Sequence, residues 1–370
     1  MRNRLMVVMA AVMQVATMLP LAASAASDVL MVISGHGQNG GETRPGYEFD
    51  ELAQAYLIFR DNGLSVDIAS PQGGTVEADD YDPDKPYNRA FLADDAAKTK
   101  LANSRAIGTL SAKDYRAVFV VGGKGAMFDL PSHAPLHQLL RQLWLHNGVV
   151  AGVCHGPAAF ADLRLADGTP LVRGKAVTGF SNAEERLFGK KWREHFPFQL
   201  EDKLVSNGAR FEQAEIMLNK VVVDGRLITG QNPYSTTAAA EAVVRALGKT
   251  PQARTPYPDE RSIALLARLL AGEHAWARTE LARASADYDL PLIAMYGYYR
   301  LKSAETTASK QQALDIMTIA SQHWYHRELL LALAQGHQDL QQTAQARQVL
   351  TQLLAKEPEL EAAKQLLAKL

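Results

Sequence analysis

Residues 148–160 constrain the fold more than any other segment, because a fully apolar run is followed there by a sharp break in the chain. Gly148–Val153 is short and β-branched, which is typical of a strand buried on both faces of a parallel sheet. A glycine and a proline at 156–157 end that strand, and Ala158–Leu163 suits the first turns of a helix. The segment predicts a strand, a tight turn that carries Cys154, and a helix.

The rest of residues 28–248 alternates strand and helix in the same way. In chain order we predict a strand at Asp28–Ser34, a helix at Tyr47–Asn62, a strand at Ser65–Ala69, a long polar excursion at 71–105, a strand at Arg116–Val121, a helix at Leu136–Leu145, a strand at Lys175–Thr178, a hairpin at Val221–Ile228 and a helix at Thr236–Leu247. Such alternation predicts an α/β fold: a flavodoxin-like, mostly parallel sheet with helices on both faces.

A change of composition separates this α/β domain, residues 26–248, from the C-terminal part of the chain. Residues 249–262 are polar and rich in proline, which predicts a linker. Residues 263–370 are rich in Ala, Leu and Gln, with apolar residues at helical spacing. Residues 327–360 resemble one tetratricopeptide repeat, so we expect an all-α helical-repeat domain. A generic helical bundle is the alternative.

Residues 1–25 have the pattern of a signal peptide. Arg2 and Arg4 precede an uncharged apolar stretch at 5–21, and the small residues at 23–25 offer a cleavage site. A membrane anchor is the alternative, but the stretch is short and polar residues interrupt it. We therefore expect a periplasmic or secreted protein that has no membrane contact after cleavage.

Composition and motifs exclude several classes of function. The chain has 39 Lys and Arg against 40 Asp and Glu, with no basic run of the kind that binds nucleic acid, so no nucleic-acid partner is expected. A Walker motif, a His-Glu-Xxx-Xxx-His motif and a Cys/His cluster are all missing from the sequence, which disfavours nucleotide and zinc sites. The single cysteine, Cys154, is either an inert core residue or a reactive thiol. Its position at the start of a helix, where the dipole favours a thiolate, points to reactivity.

Four separated motifs resemble a known family. They are Val120–Pro131, Ala151–Pro157, Thr178–Phe180 and Asp224–Pro233, which occur in the same order in the ThiJ/PfpI superfamily. The chain resembles above all its branch of heat-shock chaperones and glyoxalase III enzymes, over about residues 28–248. This resemblance implies a cofactor-independent lyase that converts methylglyoxal, or a related small carbonyl compound, to a hydroxy acid through a cysteine thiolate. Hydrolysis of early glycation adducts is a further activity that it implies.

The resemblance also implies roles for individual residues. Cys154 matches the family nucleophile, and His155 matches an adjacent general acid/base. Glu185 matches the carboxylate that orients this histidine, with Glu184 as its immediate competitor. Glu51 aligns with the family glutamate whose protonated form hydrogen-bonds the thiolate.

Three further features concern the pocket around the thiol. Glu48 lies nearer than Glu51 to the apolar stripe of its helix, so it is the runner-up for the protonated glutamate. Gly122 and Gly123 leave room for a ligand, and the N–H groups of Gly123 and residue 155 are expected to form an oxyanion site. Lys124 stands where the branch usually has histidine, which favours an anionic substrate.

The sequence is also compatible with a second class of function. The chain is alternatively a periplasmic stress holdase or a redox sensor, in which Cys154 is oxidised to a sulfinic acid and the helical domain binds a protein client. Relatives commonly dimerise, so a homodimer is also expected.

Overall fold

The structure is a computed structural model that describes residues 27–370, so the signal peptide predicted at residues 1–25 lies outside the described residues. The strands are β1 (Val29–Val32), β2 (Val66–Ser70), β3 (Arg105–Ala106), β4 (Ala117–Val120), β5 (Val149–Val153), β6 (Ala176–Val177), β7 (Arg210–Phe211), β8 (Val221–Asp224) and β9 (Leu227–Gly230). The helices of the N-terminal part are α1 (Phe49–Asp61), α2 (Pro86–Ala93), α3 (Asp95–Ala102), α4 (Ala126–Asp129), α5 (Ala134–Leu145), α6 (Ala158–Ala161), α7 (Asn182–Phe188), α8 (Leu200–Ser206) and α9 (Thr236–Ala246). Those of the C-terminal part are α10 (Pro258–Leu270), α11 (His274–Ala284), α12 (Leu290–Ser303), α13 (Thr307–Ser321), α14 (Arg327–Asp339), α15 (Thr343–Lys356) and α16 (Glu361–Ala368).

The N-terminal part is built on a seven-stranded sheet in the order β3-β2-β1-β4-β5-β9-β8. All neighbouring strands are parallel except β8 and β9, which form the antiparallel hairpin predicted at residues 221–228. The central strands β1, β4 and β5 are buried along their whole length, as expected for a sheet covered on both faces. The prediction of a mostly parallel α/β fold is confirmed.

Two groups of helices pack on this sheet. Helices α1 and α9 contact each other, α1 also contacts β1 and β2, and α9 also contacts β5 and β9. Helix α5 packs on β5 and on α6, which in turn contacts α4. The carboxyl ends of β4 and β5 meet at one edge, where ligands of open α/β sheets bind.

The polar excursion predicted at residues 71–105 contains two helices, α2 and α3, and the strand β3. A proline at the first position of α2 supplies a helical φ, and the side chain of Asp94 caps α3. Phe91 on α2 is fully buried and packs edge-on against Phe49 and Tyr56 of α1. Burial of the Phe91 ring against α1 anchors this segment to the domain, although most of its other residues are polar.

The predicted linker at residues 249–262 is too long at its C-terminal end, because α10 begins at Pro258. Pro258 occupies the first turn, and the Glu260 carboxylate accepts a hydrogen bond from the Tyr257 N–H at 2.8 Å. Arg254 donates to the same carboxylate. These interactions start the helix inside the proline-rich segment.

The C-terminal part is all helical from α10 to α16 and has a second hydrophobic core of its own. Neighbouring helices pack in sequence, α12 on α13, α14 on α15, and α15 on α16. The segment predicted to resemble a tetratricopeptide repeat forms the pair α14 and α15. Its assignment to that repeat family stays a prediction. None of the described helices is long and apolar enough to cross a membrane.

Candidate active site

Cys154 lies on the tight turn after β5 and has a φ of 59°, a left-handed conformation that is rare for a residue with a side chain. Its N–H donates to the Gly230 carbonyl at 2.9 Å, and the Gly156 N–H donates to the Val153 carbonyl at 2.7 Å. A Cβ at Gly156 would lie 2.3 Å from the Val120 oxygen, which explains the glycine. Because backbone strain of this kind is retained where surrounding contacts enforce it, the turn holds the thiol in one place.

A histidine and a glutamate complete a chain of hydrogen bonds from the thiol. Cys154 Sγ lies 3.4 Å from His155 Nδ1, and His155 Nε2 lies 2.6 Å from Glu185 Oε1. All three residues are buried. A carboxylate at Nε2 places the proton of the neutral ring there and leaves Nδ1 free to accept the thiol proton.

Glu184, the competitor of Glu185, also lines the cavity at the thiol but has a different set of partners. It caps α7 together with Ser181, and its carboxylate accepts hydrogen bonds from the Met217 N–H at 2.9 Å and from the Asn232 amide at 2.9 Å. Gln231 donates to it as well. Glu184 therefore ties the start of α7 to the loops at 217 and 231–232, and it does not contact the imidazole.

Glu51 lies on α1 with its carboxyl against the Cys154 thiol. Its Oε2 accepts a hydrogen bond from the Gly122 N–H at 2.6 Å, and the residue is completely buried. Burial raises the pKa of Glu51 well above its usual value, and the charge of Glu48 raises it further. Burial therefore favours the protonated form of this carboxyl, which can donate a proton beside the sulfur.

Glu48, the runner-up, lines the cavity in front of the thiol and does not touch the sulfur as Glu51 does. The residue is partly exposed, whereas its carboxyl is enclosed, and this burial raises its pKa to about 7. Asp50 adds to the rise, and Lys124 opposes it. Lys124 therefore faces a carboxyl group, so its charge is offset whenever Glu48 is ionised.

The pKa of the Cys154 thiol is raised, whereas the helix dipole predicted that it would be lowered. Burial raises the pKa of Cys154 well above its usual value, and the nearby Glu51 raises it further. Helix α6 is only one turn long, so its dipole is small. The Gly123 N–H is the group that favours the thiolate. A base must therefore remove the thiol proton, and His155 is in place to do so.

The two glycines after β4 are required by close contacts. A Cβ at Gly122 would lie 2.7 Å from Cys154 Cβ and 2.8 Å from Glu51 Oε2. Gly123 has a φ of +90°, and a Cβ there would lie 2.5 Å from the Glu48 nitrogen. The predicted oxyanion donor at Gly123 thus faces the sulfur, while among the described residues the His155 N–H has no acceptor.

The site opens into a cavity of about 310 Å³. Its polar wall contains Glu48, Lys124, Lys190 and Asn232, and its apolar wall contains Phe180, Phe188, Met217, Pro233, Tyr234, Met295 and Tyr299. Phe180 lies in a motif quoted above, which was a signal for it. Met295 and Tyr299 belong to α12 and lie outside every motif, so sequence reasoning missed them. Within residues 27–370, no group of three or more His, Cys, Asp or Glu side chains is placed to hold a metal ion.

Residues 43–246 match the sequence profile of the DJ-1/PfpI family. A glutathione-independent glyoxalase of Schizosaccharomyces pombe, hsp3102, is 32% identical over 214 residues, which are 55% of this chain and 89% of that protein. Glyoxalase 3 of Candida albicans is 32% identical over 209 residues, which are 53% of this chain and 87% of that protein.

Solved structures show the same likeness. Glyoxalase III of Candida albicans has a TM-score of 0.55 at 28% identity and covers 60% of this chain and 98% of its own. The rapid encystment protein of 24 kDa from Francisella tularensis has a TM-score of 0.55 at 36% identity and covers 60% of this chain and 99% of its own. Because the family profile spans more than half of its residues, this chain belongs to the DJ-1/PfpI family.

Proposed function

We propose that this chain is a glutathione-independent glyoxalase that converts methylglyoxal, or a related 2-oxoaldehyde, and water to a 2-hydroxy acid. One observation carries the proposal: the Cys154 sulfur contacts both the imidazole of the His155–Glu185 pair and the buried carboxyl of Glu51, whose pKa is raised by burial. Named relatives with about 30% identity are glutathione-independent glyoxalases, which supports the same chemistry.

The first step forms a carbon–sulfur bond. His155 Nδ1 takes the thiol proton, and the imidazolium is stabilised by Glu185 at Nε2. The sulfur then attacks the aldehyde carbon, and the π electrons of the carbonyl move to its oxygen. We assign the binding of this oxyanion to the N–H groups of Gly123 and His155; the Gly123 N–H, which contacts the sulfur in the free enzyme, becomes available once the sulfur has lost its charge.

The second step moves hydrogen between two carbons of the substrate. A base removes the proton from the former aldehyde carbon, the electron pair forms an enediolate, and a proton is added to the former ketone carbon. Glu51 and His155 flank the sulfur and are the groups that exchange these protons. One carbon is oxidised and its neighbour is reduced, so no external oxidant or reductant is needed.

The last step hydrolyses the resulting thioester. Water adds to the carbonyl carbon, the carbon–sulfur bond breaks, and the hydroxy acid leaves as the thiol recovers its proton. The cavity of about 310 Å³ admits both the substrate and water.

The test is lactate formation from methylglyoxal by the chain without glutathione or added metal. We expect turnover by the parent and a loss of at least about a thousand-fold in Cys154→Ala, because that variant has no nucleophile. Glu51→Gln is expected to lose most of the activity, and Asp61→Asn, at an exposed position of α1, is its matched control. A parent without turnover contradicts the proposal and leaves the holdase or redox sensor as the function to test.

The same cysteine can instead cleave early glycation adducts, which would make the enzyme a hydrolase. The two activities differ in their response to preincubation of methylglyoxal with N-acetylcysteine. A lyase that uses only the free aldehyde forms lactate at a lower initial rate after this preincubation. A hydrolase that uses the adduct forms lactate at least as fast.

A further inference from the structure

The helical region supplies part of the wall of the catalytic cavity. Met295 and Tyr299 of α12 line the same cavity as Cys154 and His155. Met295 is unusually exposed for a large apolar side chain, at 39% of its surface. The solved relatives cover 60% of this chain, so this wall comes from a region beyond the domain that they share.

Aromatic contacts connect the imidazole to α12. The Phe180 ring lies 4.5 Å from the His155 ring and 6.5 Å from Phe188, measured between ring centroids. The Phe188 ring then meets Tyr299 edge-on at 4.6 Å. The apolar side of the cavity is therefore one connected surface that begins at His155 and ends on the helical region.

A second cavity of about 360 Å³ begins on the other side of the same two residues. Met295 and Tyr299 line both cavities. The remaining wall of the second cavity is mostly apolar or aromatic and includes Tyr298, Trp324 and Leu329. The cavity at the thiol, about 310 Å³, already exceeds what a three-carbon aldehyde fills, since pockets of roughly 300–1,000 Å³ hold much larger ligands.

We infer that Met295 and Tyr299 determine substrate specificity, and that the preferred substrate is a 2-oxoaldehyde with an aromatic or bulky apolar substituent. The aldehyde carbon of this substrate lies at Cys154, and its substituent packs against Met295 and Tyr299. A bulky apolar substituent covers more of the apolar wall, and so buries more apolar surface away from water, than the methyl group of methylglyoxal does. This inference rests on the proposed function and names its substrate class.

The experiment compares phenylglyoxal with methylglyoxal as substrates of the full chain. Mandelate and lactate formation give kcat/KM for each, and the measured quantity is the ratio of phenylglyoxal to methylglyoxal. We expect the parent to favour phenylglyoxal. Met295→Ala and Tyr299→Ala are each expected to lower this ratio about ten-fold, because they remove surface that the ring contacts.

Two variants serve as matched controls in the helical region. Leu331→Ala and Tyr288→Ala remove side chains of similar kind that also pack on the helical core but do not line either cavity. They are expected to leave the ratio as in the parent, and circular dichroism of all four variants shows that the helices are retained.

The outcomes separate the two proposals. A parent that turns over methylglyoxal but has no preference for phenylglyoxal overturns this inference and leaves the proposed function intact. A ratio that is the same in Met295→Ala, Tyr299→Ala and the controls also overturns it. A parent that turns over neither aldehyde overturns the proposed function, and this inference with it.

Discussion

The interiors of the α/β region and of the helical region differ in what they bury. The α/β region encloses three glutamates and a histidine at the carboxyl edge of its sheet: Glu51, Glu184, Glu185 and His155. Among the described residues of the helical region, most large buried side chains are apolar. Its buried carboxyl belongs to Asp259, at the junction with α1, and its buried imidazole to His337, whose Nδ1 lies 2.7 Å from Gln342 Oε1. Buried carboxyls destabilise a fold unless hydrogen bonds or proton uptake compensate them.

This difference separates two roles. The α/β region retains groups that are costly to bury because they have partners or hold protons, as in the chain from Cys154 to Glu185. The helical region has a core of ordinary apolar packing and contributes Met295 and Tyr299 to the catalytic cavity. The reactive groups therefore come from the α/β region, while both regions contribute to the wall of the cavity.

The largest expected effect concerns the polar interior of the α/β region. Glu184→Ala leaves the Met217 N–H without its acceptor and removes one of the two acceptors of the Asn232 amide. We expect a loss of about 3–5 kcal/mol in the unfolding free energy of this region, measured by urea denaturation. Glu212→Ala, at an exposed position, is the control and should change it by at most about 1 kcal/mol. Equal effects of the two variants would mean that Glu184 is not structural.

A substitution in the apolar core of the helical region tests the other side of this comparison. Leu333 is buried there, and Leu333→Ala is expected to lower the unfolding free energy of the helical region by about 3 kcal/mol. Methylglyoxal turnover at 25 °C should persist, because Leu333 does not line the cavity. Leu140→Ala makes the same change in the α/β core. If both variants shifted a single common unfolding transition, the two regions would form one cooperative unit.

The junction between the regions should depend on pH. Burial raises the pKa of Asp259 to about 6 from 3.8, so its neutral form stabilises the fold at low pH and this stabilisation is lost as pH rises through about 6. The shift corresponds to at most roughly 3 kcal/mol. Asp259→Asn should therefore reduce the loss of stability between pH 4 and pH 7, measured by urea denaturation. Asp61→Asn, at an exposed position, should not. An unchanged pH profile in Asp259→Asn would contradict the prediction.

Close backbone contact at the thiol predicts a loss of activity without a comparable loss of stability. Gly122→Ala introduces a methyl group against Cys154 and Glu51. We expect kcat/KM for methylglyoxal to fall about a hundred-fold, because displacements near 1 Å have effects of this size. Gly108→Ala is the control, since the nearest atom to its Cβ is 4.0 Å away. Similar activity in the two variants would show that Gly122 can shift freely.

The smallest effect concerns Glu48. Above its pKa of about 7 this carboxylate raises the pKa of Cys154, so it opposes formation of the thiolate. Glu48→Gln should increase the rate of thiol alkylation by iodoacetamide about two- to five-fold at pH 8, as expected for a screened charge. Glu42→Gln, at an exposed position, is the control. A slower reaction in Glu48→Gln would contradict this sign.

Much of the fold was predictable because its signals are local. The buried strands around β4 and β5, the hairpin at 221–228 and the turn at Cys154 each follow from a short run of residue types. Helices α2 and α3 were not predicted, since their stability depends on Phe91 reaching the face of α1. The start of α10 at Pro258 was also missed, because proline is common both in linkers and in first helical turns.

By itself, the sequence determined that this chain contains a mostly parallel α/β domain with its cysteine on a tight turn, followed by a helical region. Only the tertiary structure decided which of two neighbouring glutamates meets His155, because adjacent residues of a helix point about 100° apart and have different surroundings. The structure likewise decided between Glu51, which lies on α1 against the thiol, and Glu48, which precedes the helix and lines the cavity. Met295 and Tyr299 reach the thiol only through packing between distant parts of the chain, and no local pattern records such a contact.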